Sequence, residues 1–192
     1  MILPIVAYGD PVLRKIGKNI DKDFPRLDAL IKNMFETMDN SYGVGLAAPQ
    51  IGKAIRLFIV DTTPFADSDD ISEEEQQNLD GFRKVFINAK IIKEEGEEWI
   101  FNEGCLSVPD VREDVSRKPL VTMEYYDENW QKHTETFDGL RARVIQHEYD
   151  HIEGIVFTDH LSSLKKRLVK GKLNKISKGK ISVDYTMKFP KK

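Results

Sequence analysis

His147-Glu148-Tyr149-Asp150-His151 sets two imidazoles four positions apart, with a carboxylate directly after the first. On an α-helix, residues i and i+4 stand one turn apart on the same face, so both rings can close on one metal ion. Glu148 then lies within reach of a water on that ion and can take its proton. A divalent ion brings the pKa of such a water down to about 7, which supplies a nucleophile at neutral pH. This is the layout of a metal-dependent hydrolase. Two histidines do not complete it, because a catalytic zinc-like centre takes three protein ligands and keeps a further position for water or substrate. Downstream the supply is thin: Glu153, Asp159 and His160 follow closely, and His160, nine residues beyond His151, lies past Gly154, which breaks the helix. Cys105 is the better third ligand. It sits in Glu103-Gly104-Cys105-Leu106-Ser107, just after a predicted strand, where a glycine lets the backbone pass close to another group. As a ligand it would be a thiolate, adding charge to the centre; in isolation a lone cysteine is a small buried hydrophobe. Glu103, Ser107 and Asp150 are candidates to orient the ligands by accepting the second ring N–H of a histidine.

The elements that must position these groups are legible in the hydrophobic pattern. Over residues 25–40, Leu27, Leu30, Ile31, Met34, Phe35 and Met38 form one apolar stripe, which predicts a helix facing a core. A Gly- and Ala-rich loop follows over 43–52, then a strand over 56–60. Residues 84–93 and 97–102 read as two strands joined through Glu94-Glu95-Gly96. Residues 120–126 and 131–137 alternate well enough for a hairpin turning at Asp127-Glu128-Asn129. Asp138 or Gly139 opens the helix of the metal motif. A last helix is expected over 162–173 and a closing strand over 181–185. On the metal-motif helix Leu140 and Val144, seven and three residues before His147, either wall a pocket for an apolar substrate side chain or simply pack the core. The expected fold class is α+β: antiparallel strands packed around a central helix carrying the metal motif, with a C-terminal helix.

The 192 residues suit one catalytic domain, and 40% hydrophobic with 32% charged residues suits a globular chain. No apolar run approaches the ~20 residues needed to span a bilayer. The N-terminus, with Pro4 and Asp10 and no basic region, does not read as a signal peptide. A single cysteine without an export signal suits a reducing cytoplasm. The net charge of −3 hides an asymmetry: residues 1–160 carry 31 acids and 18 bases, residues 161–192 one acid and 11 bases. The second segment is expected to be a basic helix and tail, either a solvated face or a surface that meets a polyanion such as RNA. Residues 61–80 hold eight acids and no base, so 61–82 is expected to be a solvent-exposed acidic loop insertion without a chemical role.

Three segments together resemble the signature motifs of the peptide deformylase family, in the family's order: Gly43-Val44-Gly45-Leu46-Ala47-Ala48-Pro49-Gln50, Glu103-Gly104-Cys105-Leu106-Ser107 and Gln146-His147-Glu148-Tyr149-Asp150-His151. The opening Asp10-Pro11-Val12-Leu13-Arg14 is similar to that family's N-terminal segment. The resemblance spans roughly residues 1–170 and is silent on the acidic stretch and on the tail. It implies that Cys105, His147 and His151 bind the metal and that Glu148 acts as general base and then general acid. Gln50 and the backbone N–H of Leu106 would hold the developing oxyanion. Gly45 would present its backbone to the peptide, and Arg112 resembles a position that contacts peptide substrates. The implied reaction is removal of the N-formyl group from the initiator methionine of nascent polypeptides, with release of formate. The implied cofactor is one divalent ion, Fe2+ in the cell, with Zn2+, Ni2+ or Co2+ accepted in purified protein. The expected partners are N-formylmethionyl nascent peptides and, through the basic C-terminal segment, the ribosome, but neither membrane nor DNA. An endopeptidase built on the same helix motif would have no need of Cys105, and a non-catalytic metal binder would have lost one of these positions.

Overall fold

The computed structural model describes residues 1–68 and 71–190. In chain order its elements are β1 (Ile5–Val6), α1 (Leu27–Asn40), β2 (Gly45–Ala47), β3 (Leu57–Asp61), α2 (Thr63–Ala66), α3 (Glu73–Leu79), β4 (Arg83–Glu95), β5 (Trp99–Cys105), β6 (Val108–Arg117), β7 (Leu120–Tyr126), β8 (Lys132–Phe137), α4 (Gly139–Ile152), α5 (Ser163–Ser177) and β9 (Met187–Lys188). The fold is α+β. Strands β2, β3, β4, β7 and β8 form an antiparallel sheet in that order.

All five residues of β3 are buried, which is why its sequence reads as an unbroken apolar run. Side-chain alternation sends Leu57 and Ile59 to one face, where they pack with Leu30, Ile31, Met34 and Met38 of α1. Phe58 and Val60 go to the other face, against Ala142, Val144 and Ile145 of α4. The sheet is thus covered on both sides. Helix α1 has no side-chain cap at Arg26; what holds it is its buried stripe, each large apolar side chain contributing about 1.5–3 kcal/mol. Phe35 lies at the flank of that stripe, with the Arg83 guanidinium 4.1 Å from its ring centroid.

Helix α4 is buried nearly all round, including Arg143, Gln146, His147, Glu148 and His151. It also meets the β5–β6 hairpin, through hydrogen bonds from Arg143 and His147. Val108, Val111 and Val115 of β6 pack there with Phe157 and with Val169 and Ile176 of α5. A helix with this many buried polar groups needs partners for them. Arg143 donates to the carbonyls of Val115 and Trp99 (3.1 and 2.7 Å), and Gln146 donates to that of Lys118 (3.0 Å).

Several expectations change. The strands joined through Glu94-Glu95-Gly96 belong to different sheets: β4 pairs with β7, and β5 pairs with β6. Strand β6 escaped the pattern because Pro109 and five charged residues interrupt its alternation. The stretch 61–82 is not a simple acidic loop, since α2 and α3 lie within it; Asp69 and Asp70 fall outside the described residues. Ser72 caps α3 by accepting the N–H of Glu75 (3.2 Å), and the acids of its first turn suit the helix dipole. Leu79 anchors it in full burial. No strand occupies 181–185; backbone pairing with β1 begins only at Thr186, which accepts the Ile5 N–H (2.9 Å), so the closing strand is β9. No helix among the described residues is long and apolar enough to cross a membrane.

Candidate active site

Helix α4 and the β5–β6 hairpin converge on one point. His147 and His151 stand one turn apart on α4 with ring centroids 5.2 Å from each other. Cys105 ends β5, where the register with β6 shifts between Gly104 and Cys105. Its sulfur lies 3.3 Å from His151 Nε2, and one ligand atom from each of Cys105, His147 and His151 falls within 4.8 Å of the others. Bonds of about 2.0–2.3 Å from nitrogen and sulfur to a zinc-like ion span such separations.

The surroundings fit a cation. His147 Nδ1 donates to Glu103 Oε2 (2.9 Å), which leaves Nε2 as the ligand nitrogen. Burial opposes the Cys105 thiolate, but the charge of His151 and the bonds to both imidazoles outweigh it and lower the thiol to about 5. Burial likewise opposes the His147 imidazolium, yet Cys105 and Glu103 hold its pKa well above the ordinary value. Positive charge is therefore welcome at this point, and two imidazoles with a thiolate suit a borderline-soft divalent ion. Glu148 differs: burial dominates over the pull of the two histidines and raises its carboxyl to about 7. Its Oε2 is buried and lacks a hydrogen-bond partner among the described residues.

Glu103 is the hub behind the ligands. Besides His147 it accepts from Arg117 Nε and Nη2 (2.7 and 3.1 Å) and from Arg143 Nη1 (3.1 Å). Burial opposes its charge, but His147 and Arg117 hold its pKa far below the usual carboxylate range. Arg117 continues to Asp150 (2.8 Å), which also takes His160 Nε2 (2.7 Å). His160 thus joins this outer network and not the ligand cluster.

The remaining expected residues divide. Gln50 lies in a single helical turn after β2; its Oε1 accepts the Ala47 N–H (2.7 Å), which aims its Nε2 at the Cys105 sulfur (3.4 Å). Gly45 lies against Glu148, and Gly45, Val144, Leu106 and Arg112 all line a cleft of about 570 Å³ over the cluster. Arg112 is held at the hairpin by Asn102, donating to its Oδ1 (3.0 Å) and its carbonyl (2.6 Å). Leu140 is not among the residues lining the cleft. It belongs to the first turn of α4, about 10 Å along the axis from His147, and its N–H donates to Glu75 Oε1 (3.3 Å). Ser107 Oγ is buried without a partner among the described residues, so it orients no ligand. Sequence reasoning missed Arg117, Arg143, Phe65 and Tyr185, the last three being cleft residues. Arg143 alone carried a signal, one turn before His147 on the same helix.

An α+β fold that brings a cysteine, two imidazoles and a buried glutamate together beside one open cleft defines a metal-dependent hydrolase. A family model described as polypeptide deformylase matches residues 2–167, so the chain belongs to that family. It is similar to the peptide deformylase of Christiangramia forsetii, with 67% identity over 190 residues covering 99% of this chain and 97% of the relative. The peptide deformylase of Flavobacterium psychrophilum is 65% identical over 193 residues, covering 100% of both. Among solved structures, a peptide deformylase from Legionella pneumophila superposes with a TM-score of 0.78 at 36% identity, covering 94% of this chain and 98% of that one.

Proposed function

We propose that this chain acts as one catalytic domain that removes the N-formyl group from the initiator methionine of newly made polypeptides and releases formate. The observation that carries the reading is geometric: Cys105, His147 and His151 bring ligand atoms within 4.8 Å of one another, and the buried Glu148 Oε2, without a partner among the described residues, lies beside them on the wall of the cleft. Cys105, His147 and His151 would hold a divalent cation, which when bound would supply Lewis acidity to the formyl carbonyl and to a water. Glu148 takes a proton from the attacking water and passes it to the departing amine as the formyl C–N bond breaks. The Gln50 amide and the Leu106 N–H donate to the carbonyl oxygen as it gains charge, together worth several kcal/mol in a dry site. Gly45 brings bare backbone beside the scissile group, Val144 contributes to the wall for the methionine side chain, and Arg112 meets the peptide beyond it.

Fe2+ is the ion we assign in the cell, with Zn2+, Ni2+ or Co2+ able to replace it; metal analysis of anaerobically prepared protein tests this. The cytoplasm is the compartment this substrate requires. We also assign to α5 a salt-sensitive contact with the ribosome. In support, α5 bears most of the basic excess, and Leu164 and Leu168 are exposed between its cations. Reversing Lys166, Arg167 and Lys170 to glutamate should weaken ribosome binding while leaving peptide turnover intact. Release of formate from a formyl-Met peptide, abolished by a chelator, tests the main reading; a loaded protein without turnover would refute it.

A further inference from the structure

The tail beyond the span matched by the family folds back across the cleft. Residues 182–185 join its wall. They are carried there by β9, which pairs in parallel with β1 through Ile5↔Met187 and Val6↔Lys188. Met187 and Phe189 tie this return to the cluster beneath β6 and α5.

Just before β9, the Tyr185 hydroxyl donates to the Leu106 carbonyl at 2.7 Å. The next carbonyl, that of Ser107, accepts the Tyr8 N–H at 2.8 Å, directly after β1. The two ends of the chain therefore grip consecutive carbonyls of one turn. Leu106 and Ser107 are the two residues between the paired Cys105 and Val108. As the tip of a hairpin they lie outside the strand ladder, so the ladder does not set the tilt of their peptide groups. Yet this turn begins at Cys105 of the candidate ligand cluster and holds the N–H that the deformylase reading places at the formyl oxygen. A donor aimed before reaction is worth far more than one that must find its angle during it.

We propose that residues 182–185 complete the active-site wall and that Tyr185 is a positioning residue: by holding the Leu106 carbonyl it fixes the Leu106–Ser107 peptide, and through the shared Leu106 Cα it restrains the preceding peptide, which carries the Leu106 N–H; this rests on the deformylase reading above. Tyr185→Phe in the full-length, metal-loaded protein keeps the ring and removes only the hydroxyl. The kcat for a formyl-Met peptide should fall about ten- to hundred-fold, while KM stays within about two-fold because substrate binding itself is untouched. Metal content and Tm should match the unsubstituted protein. Thr186→Ala, at an exposed neighbour in the same segment, should leave kcat unchanged. The inference is overturned by an unchanged kcat in Tyr185→Phe, by an equal loss in Thr186→Ala, or by a loss that tracks metal content or Tm. Unsubstituted protein that releases no formate sinks the deformylase reading and this inference with it. Full activity there beside an equally fast Tyr185→Phe protein sinks this inference alone.

Discussion

Gly45 and Glu148 touch in a way that only glycine permits: a Cβ on Gly45 would stand 2.7 Å from the carboxyl carbon of Glu148. Gly45 is fixed in the sheet by its pairing with Val60, and Glu148 by its buried helix, so neither yields easily. Gly45→Ala should push the carboxylate off its line to the attacking water and reduce kcat by about a hundred-fold, the scale of a 1 Å misplacement. Metal content should be unaffected, since the three atoms nearest a Cβ at Gly45 all belong to Glu148 and none to Cys105, His147 or His151. Steady-state kinetics beside metal analysis checks both halves.

Glu148 itself should set the acid limb of the rate. Burial raises its carboxyl to about 7 against the opposing pull of His147 and His151. Only the ionised form accepts a proton, so kcat/KM should climb about tenfold per pH unit and level off once the carboxyl has titrated. A bound cation favours the carboxylate, so the limb lies at or below neutrality and never above it. Glu148→Gln should keep the metal, lose about 10²–10⁴-fold in rate and show no such limb in whatever activity remains. A variant with unchanged rates would rule Glu148 out as the base.

Cys105 decides between deformylation and cleavage of internal peptide bonds. Its sulfur is one of three donors in a group spanning no more than 4.8 Å, and removing one donor leaves a bidentate histidine pair. Cys105→Ala should therefore lose bound metal and formate release together, as should prolonged treatment with a chelator, and adding a divalent ion back should rescue only the chelated protein. A Cys105→Ala protein that kept both metal and activity would favour the endopeptidase.

What the sequence disclosed follows from the range of each signal. The His147–His151 pair and the stripe of α1 are local, so spacing alone locates them. Gln50 and Leu106 came through the resemblance, because nothing in a lone Gln or Leu announces an oxyanion donor. Arg117 was invisible: it meets Glu103 across 14 positions and Asp150 across 33, and an arginine on a strand looks like solvent decoration until the fold buries it. Tyr185 meets Leu106 across 79 positions, in a tail whose pattern suggested a strand. The acidic stretch misled through its charge. Its helical caps were readable at Ser72, but nothing local says that Glu75 reaches across to the first turn of α4.

The network behind His147 gives the last prediction. Glu103 is 4% exposed and neutralises two guanidinium groups while holding an imidazole. In Glu103→Gln an amide NH2 would face those donors and leave buried positive charge unpaired. Breaking one partner out of such an ionic group costs about 3–5 kcal/mol, and at about 2–4 °C per kcal/mol for a chain of this size Tm should drop by roughly 6–20 °C. The sign of the pH effect follows from the depressed pKa of Glu103. Its stabilisation is in full force above the ordinary value of 4.5 and is lost as pH falls through the lower folded-state value, so the native protein should lose stability in acid more steeply than Glu103→Gln. Metal affinity should fall about 10- to 100-fold because His147 loses the acceptor that orients it. Thermal melts across pH, read beside metal titrations, distinguish this from simple loss of a ligand: Glu103→Gln removes the Glu103 contribution to the acid slope, whereas His147→Ala leaves the carboxylate paired with Arg117 and Arg143 and only reduces it.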